Sequence, residues 1–186
     1  MDVKKISVVS TRNFEEIYDI KTLVLSIPKV LKKQKNIHFY FIGKGSLQND
    51  LIKLVRNLNI ESYVTFLGYI DNKILPKTLA SFDIYVSTSL SDAGIAASTA
   101  EAMSCGVPAI VTNSGENSYW IQNGINGYIV PIKSPIELSK KILMLSESKK
   151  LRNIIGKNGM MTILNNNSYK KEMEKVRLLY ISSSKI

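Results

Sequence analysis

Short apolar runs of strand length alternate along this chain with amphipathic stretches of helix length, and that alternation leaves few architectures open. Residues 6–11 (ISVVST), 37–42 (IHFYFI), 63–67 (YVTFL), 82–87 (FDIYVS), 107–112 (VPAIVT) and 127–130 (GYIV) read as strands, rich in β-branched and aromatic side chains. Helical spacing fills the gaps. Leu23, Ile27, Val30 and Leu31 define a stripe over 20–33, and Leu51, Leu54, Val55 and Leu58 one over 47–58; shorter helices are expected at 74–81 and 99–104. Pro108 suits the first turn of its strand better than the centre. After Pro135 only helical patterns remain, over 136–145, 149–164 and 168–180, with Ser168 offered as an N-cap after three asparagines.

The strands show little polar alternation, as expected where helices cover both faces of a sheet. The reading is therefore α/β: a Rossmann-like, three-layer parallel sheet of about six strands followed by C-terminal helices. With 186 residues, 45% hydrophobic and 22% charged, one domain over 1–181 with a frayed tail at 182–186 is expected, and a disordered or collagen-like chain is excluded. Cys105 is the single cysteine, so no internal disulfide forms and a reducing, cytoplasmic setting is expected. No apolar run reaches the length of a membrane span, and the first ten residues lack the apolar core of a signal peptide.

The net charge of +10 is unevenly spread. Residues 1–60 hold 11 basic and 5 acidic side chains, 61–132 hold 2 and 6, and 133–186 hold 12 and 4. The basic flanks fall on outer helix faces and permit a lipid-linked acceptor at a membrane surface, peripheral to the inner face. No arginine cluster interleaved with aromatics argues for nucleic acid.

Ligands of such sheets sit beyond the carboxyl ends of strands. Arg12 follows the first strand and Lys44 the second, and a guanidinium fork with an ammonium can converge on one diphosphate. Gly43 and Gly45 serve either that approach or turns with positive φ. The loop from Ser87 to Glu101 holds little bulk between Ala93 and Ala100. The amides of a helix starting there can meet phosphate oxygens, with Ser98 or Thr99 adding a hydroxyl donor. Glu101, inside that helix, can accept two ribose hydroxyls, or is a plain surface glutamate.

The run SLSDAGIAASTAEAMSCGVPAIVTNSGENSYWIQNGINGYIVP resembles the C-terminal, donor-binding half of the retaining glycosyltransferases of family 4 (group 1), which have the GT-B fold. The segments STRNFEEIYDIKTLVLSIP, FYFIGKGSLQNDL, YVTFLGYI and FDIYVSTSLSD occur in the family's order. The resemblance implies transfer of a sugar, with retention, from a UDP- or GDP-sugar to an acceptor hydroxyl in polysaccharide or glycoconjugate biosynthesis, with no other cofactor and no metal. It implies Arg12 at the donor diphosphate with Gly43–Gly45 nearby, Tyr69 and Ile70 beside the nucleobase, the amides of Gly94, Ile95, Ala96 and Ala97 at the distal phosphate and sugar, and Glu101 on the ribose. The acceptor site would lie on an N-terminal domain that this chain lacks, so the chain alone is expected to bind nucleotide and transfer little.

Two positions depart from the family's pattern. Ala93 stands where the first of the paired glutamates belongs, leaving Asp92 as the nearest carboxylate for the donor sugar, unless it is a solvated loop residue or an N-cap. Tyr18 stands in the place of the usual lysine, with Lys21 or Lys44 as its substitute. These gaps keep open an alternative, a non-catalytic nucleotide-sugar-binding subunit or sensor. His38, mid-strand and alone, reads as a packing or edge residue, and Cys105 as a small buried one.

Overall fold

The computed structural model describes residues 5–166 and 169–183. Strands β1 (Ile6–Ser10), β2 (Ile37–Ile42), β3 (Val64–Gly68), β4 (Ile84–Ser87), β5 (Ala109–Thr112) and β6 (Tyr128–Val130) form one sheet in the order β3-β2-β1-β4-β5-β6. Every pairing is parallel. The expected sheet of six strands is present. Its helices are α1 (Ile20–Leu31), α2 (Gln48–Asn57), α3 (Leu75–Leu79), α4 (Ala97–Ser104), α5 (Asn117–Trp120), α6 (Pro135–Glu147), α7 (Lys149–Asn166) and α8 (Tyr169–Ser183).

The strand sequences need no polar face because each face has its own core. Val8, Phe39, Phe41, Ile84, Val86 and Ile110 point to one side, where α1, α2 and α6 supply Leu23, Ile27, Leu51 and Ile142. Val9, Tyr85, Ala109 and Val111 point to the other, against Ala100, Ala102 and Met103 of α4 and Ile163 of α7. Burying one such aliphatic or aromatic side chain is worth about 1.5–3 kcal/mol. Gly156 lets α7 close on α4, since a Cβ there would stand 2.0 Å from the Gly106 carbonyl oxygen.

β1 and β4 are neighbours in the sheet, yet the loop after β1 leads to α1 on one face and the loop after β4 to α4 on the other. A cleft opens where the winding reverses.

Several boundaries differ from the sequence reading. β4 starts at Ile84 because Phe82 still closes the preceding helical turn, its amide donating to the Leu79 carbonyl at 3.0 Å. β5 starts at Ala109, after Pro108, and α4 begins at Ala97 rather than at Thr99. The helix α5 was not anticipated; the Asn117 side-chain amide ties its start to the Thr112 carbonyl at 3.0 Å. α8 continues to Ser183, past the expected start of the frayed tail, and Ser168 lies outside the described residues. His38 is no edge residue, because β2 has β1 and β3 on its two sides; its Nε2 pairs with Thr65 Oγ1 at 2.8 Å. Among the described residues no helix is long and apolar enough to cross a membrane.

Candidate functional site

A cavity of about 310 Å³ lies at the carboxyl ends of β1, β2 and β3 and the start of α4. Thr11, Arg12, Asn13, Tyr18, Gly43, Tyr69, Ile70, Asn72, Ala97, Ser98 and Glu101 are on its wall. Five of the residues named from the sequence as diphosphate, base or ribose contacts thus meet around one space: Arg12, Gly43, Tyr69, Ile70 and Glu101, with Ala97 beside them.

Arg12 leaves β1 and turns towards the alanine-rich start of α4. Its Nη1 donates to Ser98 Oγ at 3.1 Å and its Nη2 to Asp92 Oδ1 at 2.5 Å. The Tyr18 ring lies under the guanidinium, with Cζ 4.2 Å from the ring centre, a cation–π contact. Only 10% of the Arg12 side chain and 5% of Asp92 is exposed. Arg12 Nε and Asp92 Oδ2 are buried without a hydrogen-bond partner among the described residues. Asp92 is therefore neither a solvated loop residue nor the N-cap of α4, whose capping position is Ala96.

The loop that carries Asp92 is pinned from three directions. Thr88 Oγ1 donates to the carbonyls of Tyr18 and Asp19 at 3.0 and 2.8 Å, and the Leu90 amide donates to Ile17 at 2.8 Å. Thr112 Oγ1 donates to the Ser89 carbonyl at 2.5 Å. Gly115, at φ 52°, lets the loop after β5 press against the Asp92 backbone, since a Cβ would stand 1.7 Å from the Asp92 carbonyl oxygen. These contacts give Asp92 one address.

α4 begins without a side-chain cap, and Ala97 and Ser98 of its first turn line the cavity, which places the positive end of the helix dipole at that wall. Gly94, Ile95 and Ala96 do not reach the cavity wall; they build the turn, with Ile95 packed on the core beneath α4. Thr99 is 1% exposed and faces inward, leaving Ser98 as the hydroxyl at the surface of the site. Glu101 is open to solvent on one side, and partial desolvation raises its carboxyl above the ordinary range. Tyr69, 67% exposed, stands at the mouth.

Lys44 and Gly45 take other places. The Lys44 side chain is exposed, lies beside Gly68 and is not on the cavity wall. Gly45 is required by close packing rather than by a ligand or positive φ: a Cβ would come within 2.4 Å of the Phe14 carbonyl oxygen. Gly43 does need its conformation, with φ at 136° beside the Arg12 carbonyl. Sequence reasoning gave no part to Tyr85, whose hydroxyl donates to Ser98 Oγ at 2.9 Å from beneath, or to Asn72 at the rim. A tyrosine between Ile84 and Val86 in a fully buried β4 was the available signal.

Residues 2–161 match the family described as glycosyl transferases group 1. The chain belongs to that family. Among curated relatives, it is 28% identical over 144 residues to UDP-Gal:alpha-D-GlcNAc-diphosphoundecaprenol alpha-1,3-galactosyltransferase of Escherichia coli, covering 77% of this chain and 36% of that one. It is 28% identical over 145 residues to N-acetyl-alpha-D-glucosaminyl L-malate synthase of Bacillus anthracis, covering 77% and 37%. The crystal structure of a variant of S. aureus TarM, in complex with fondaparinux, alpha-GlcNAc-glycerol and UDP, superposes with a TM-score of 0.85 at 26% identity over 95% of this chain and 36% of that one. The C-terminal domain of the group 1 protein LpcC from Francisella tularensis shares the fold, with a TM-score of 0.80 at 23% identity over 88% and 87%. The chain thus spans well under half the length of the curated relatives it matches.

Proposed function

We propose that this chain is the donor-binding half of a glycosyltransferase that moves a sugar, with retention at the anomeric carbon, from a UDP- or GDP-sugar to an acceptor hydroxyl in polysaccharide or glycoconjugate assembly. The observation that carries the reading is the Arg12 guanidinium, held nine-tenths buried opposite the uncapped start of α4 on one cavity wall. A diphosphate fits a fork of donors facing a helix N-terminus. The relatives support it: one is named for a UDP-galactose donor, and a similar structure holds UDP.

In this scheme the bond between the anomeric carbon and the diphosphate oxygen breaks, and its electron pair stays on the leaving phosphate. Arg12 and the amides of Ala97 and Ser98 stabilise that charge; a preorganised donor of this kind is typically worth about 3–4 kcal/mol in a dry site. Asp92, 5% exposed and off the cavity wall, serves the sugar's hydroxyls only by turning from Arg12 as the phosphate takes its place, while Glu101 accepts from the ribose and the base lies along Tyr69 and Ile70. Lys44, exposed and off the cavity wall, contributes only long-range attraction. The acceptor oxygen attacks on the face the phosphate leaves, and the acceptor proton passes to the departing oxygen. The acceptor site belongs to an N-terminal domain beyond this chain. The donor is the only small molecule besides the acceptor that the scheme requires. The basic flanks and the undecaprenol-linked substrate named for the E. coli relative support a lipid-linked acceptor reached from the cytoplasmic side of a membrane.

The exposed Ala93, where a second carboxylate would serve the sugar, favours a second reading, a nucleotide-sugar-binding subunit without transfer. Calorimetric and thermal-shift titrations with UDP and GDP test what both readings share. At a hundredfold excess over Kd, binding stabilises the chain by about 2.7 kcal/mol. No shift with either nucleotide at millimolar concentration would end both. Transfer after the chain is rejoined to an acceptor-binding half separates them.

A further inference from the structure

A serine hydroxyl has two lone pairs and one proton, and at Ser98 both lone pairs are engaged. Arg12 Nη1 donates to Ser98 Oγ at 3.1 Å from the end of β1, and Tyr85 Oη donates to the same oxygen at 2.9 Å from β4. Tyr85 is fully buried among Val9, Met103 and Val111, so its ring has no other place to go. Burial also raises its pKa, keeping the phenol protonated as a donor. With protein donors on two sides, the Ser98 proton has one direction left. Ser98 lines the cavity, so an acceptor bound there can take that proton.

We propose that the Ser98 hydroxyl is a fixed hydrogen-bond donor to a phosphoryl oxygen of the bound nucleotide, with Tyr85 as the positioning residue that keeps its proton aimed into the cavity. This rests on the donor-site reading above and adds a contact to it. An ordinary surface serine spends its proton on water or on a backbone carbonyl; this one is wired so that the guanidinium and the hydroxyl address the same anion. Thr99, next in sequence and 1% exposed, cannot do the same.

The test measures binding of whichever of UDP and GDP the unaltered chain takes, together with the matching nucleoside, which lacks phosphate. Ser98→Ala is expected to weaken the diphosphate by about tenfold or more, the scale of a hydrogen bond to a charged group, and to leave the nucleoside unchanged. Ser98→Thr restores most of the loss. Tyr85→Phe keeps the ring that fills the core, removes only the hydroxyl, and is expected to weaken the diphosphate by a smaller factor. Added to Ser98→Ala, it does nothing further, because it acts through that oxygen. Equal loss of diphosphate and nucleoside, or none, in Ser98→Ala would overturn the proposal. Full additivity of the two variants would overturn the part given to Tyr85. Failure of the unaltered chain to bind either nucleotide would instead remove the donor-site reading itself.

Discussion

Arg12 and Asp92 are 80 residues apart in sequence, and their side chains meet at 2.5 Å between the ends of two adjacent strands. The cation that a diphosphate would seek is thus already matched by a carboxylate, and both are almost wholly withdrawn from water. On the donor-site reading, an incoming phosphate would compete with Asp92 for the guanidinium. The site in its resting form carries its own counterion, which limits the cost of a buried charge and sets a threshold for anion binding.

Removing one member of this pair should therefore cost more than removing both. Arg12→Ala leaves Asp92 buried and unpaired, and a loss of about 3–5 kcal/mol in urea unfolding is expected. The double variant Arg12→Ala with Asp92→Ala should recover part of it, so the two losses do not add. Asp92→Asn, by contrast, frees the guanidinium and is expected to tighten UDP by on the order of tenfold while lowering sugar transfer in a reassembled enzyme. Weaker UDP binding in Asp92→Asn would rule out the counterion role.

Gly115 gives a second prediction, because its contact with Asp92 is through backbone. Gly115→Ala places a methyl group 1.7 Å from the present position of the Asp92 carbonyl oxygen and puts a side chain at φ 52°. The left-handed conformation alone costs about 1–2 kcal/mol, and the loop must also shift. A lower urea midpoint and weaker nucleotide binding are expected together. An unchanged midpoint would mean that the loop yields freely and does not hold Asp92 in place.

The sheet could be read from residues because its physics is local: strands buried on both faces are largely apolar, as Val8, Val9, Ile84 and Val86 show. The winding followed from alternation, and with it the end of the sheet at which Arg12, Gly43 and Glu101 would gather; Tyr69 and Ile70 were implied by the family resemblance alone. Partners were harder. Nothing near Asp92 in sequence says that it faces Arg12, because that meeting depends on β1 and β4 being neighbours and on a loop pinned through Thr88, Thr112 and Gly115. Lys44 had the right charge in the right loop, yet a flexible stem takes its direction from its surroundings, here Gly68. The four residues of α5 are too few to show a period, and what starts that helix is a tether from Asn117 to the end of β5.

Tyr18, in the place of the family's lysine, contributes an aromatic face where a charge is usual. The contact with Arg12 fixes the plane of the guanidinium, and such contacts are worth about 0.5–2 kcal/mol. Tyr18→Leu should therefore lower the urea midpoint modestly and weaken UDP by a few fold, while Tyr18→Phe retains both. If Tyr18→Phe fell as far as Tyr18→Leu, the hydroxyl and not the ring would be the working part.

Glu101 links acidity to stability and to binding in opposite directions. Desolvation raises its native carboxyl above the ordinary value of 4.5, so the folded chain holds this proton more firmly than the unfolded chain. The favourable contribution is present in acid and is lost as the pH rises from the ordinary carboxylate range through the raised native value. Binding has the reverse sign: ribose hydroxyls donate to an ionised carboxylate, so nucleotide affinity should climb as the pH passes upward through that native value. Glu101→Gln removes both dependences, and comparing the variant with the unaltered chain cancels the titration of the nucleotide's own phosphate. Unfolding and calorimetry across the weakly acidic range provide the measurement. Parallel affinity curves for the two proteins would mean that Glu101 does not accept from the ribose, even if its effect on stability survives.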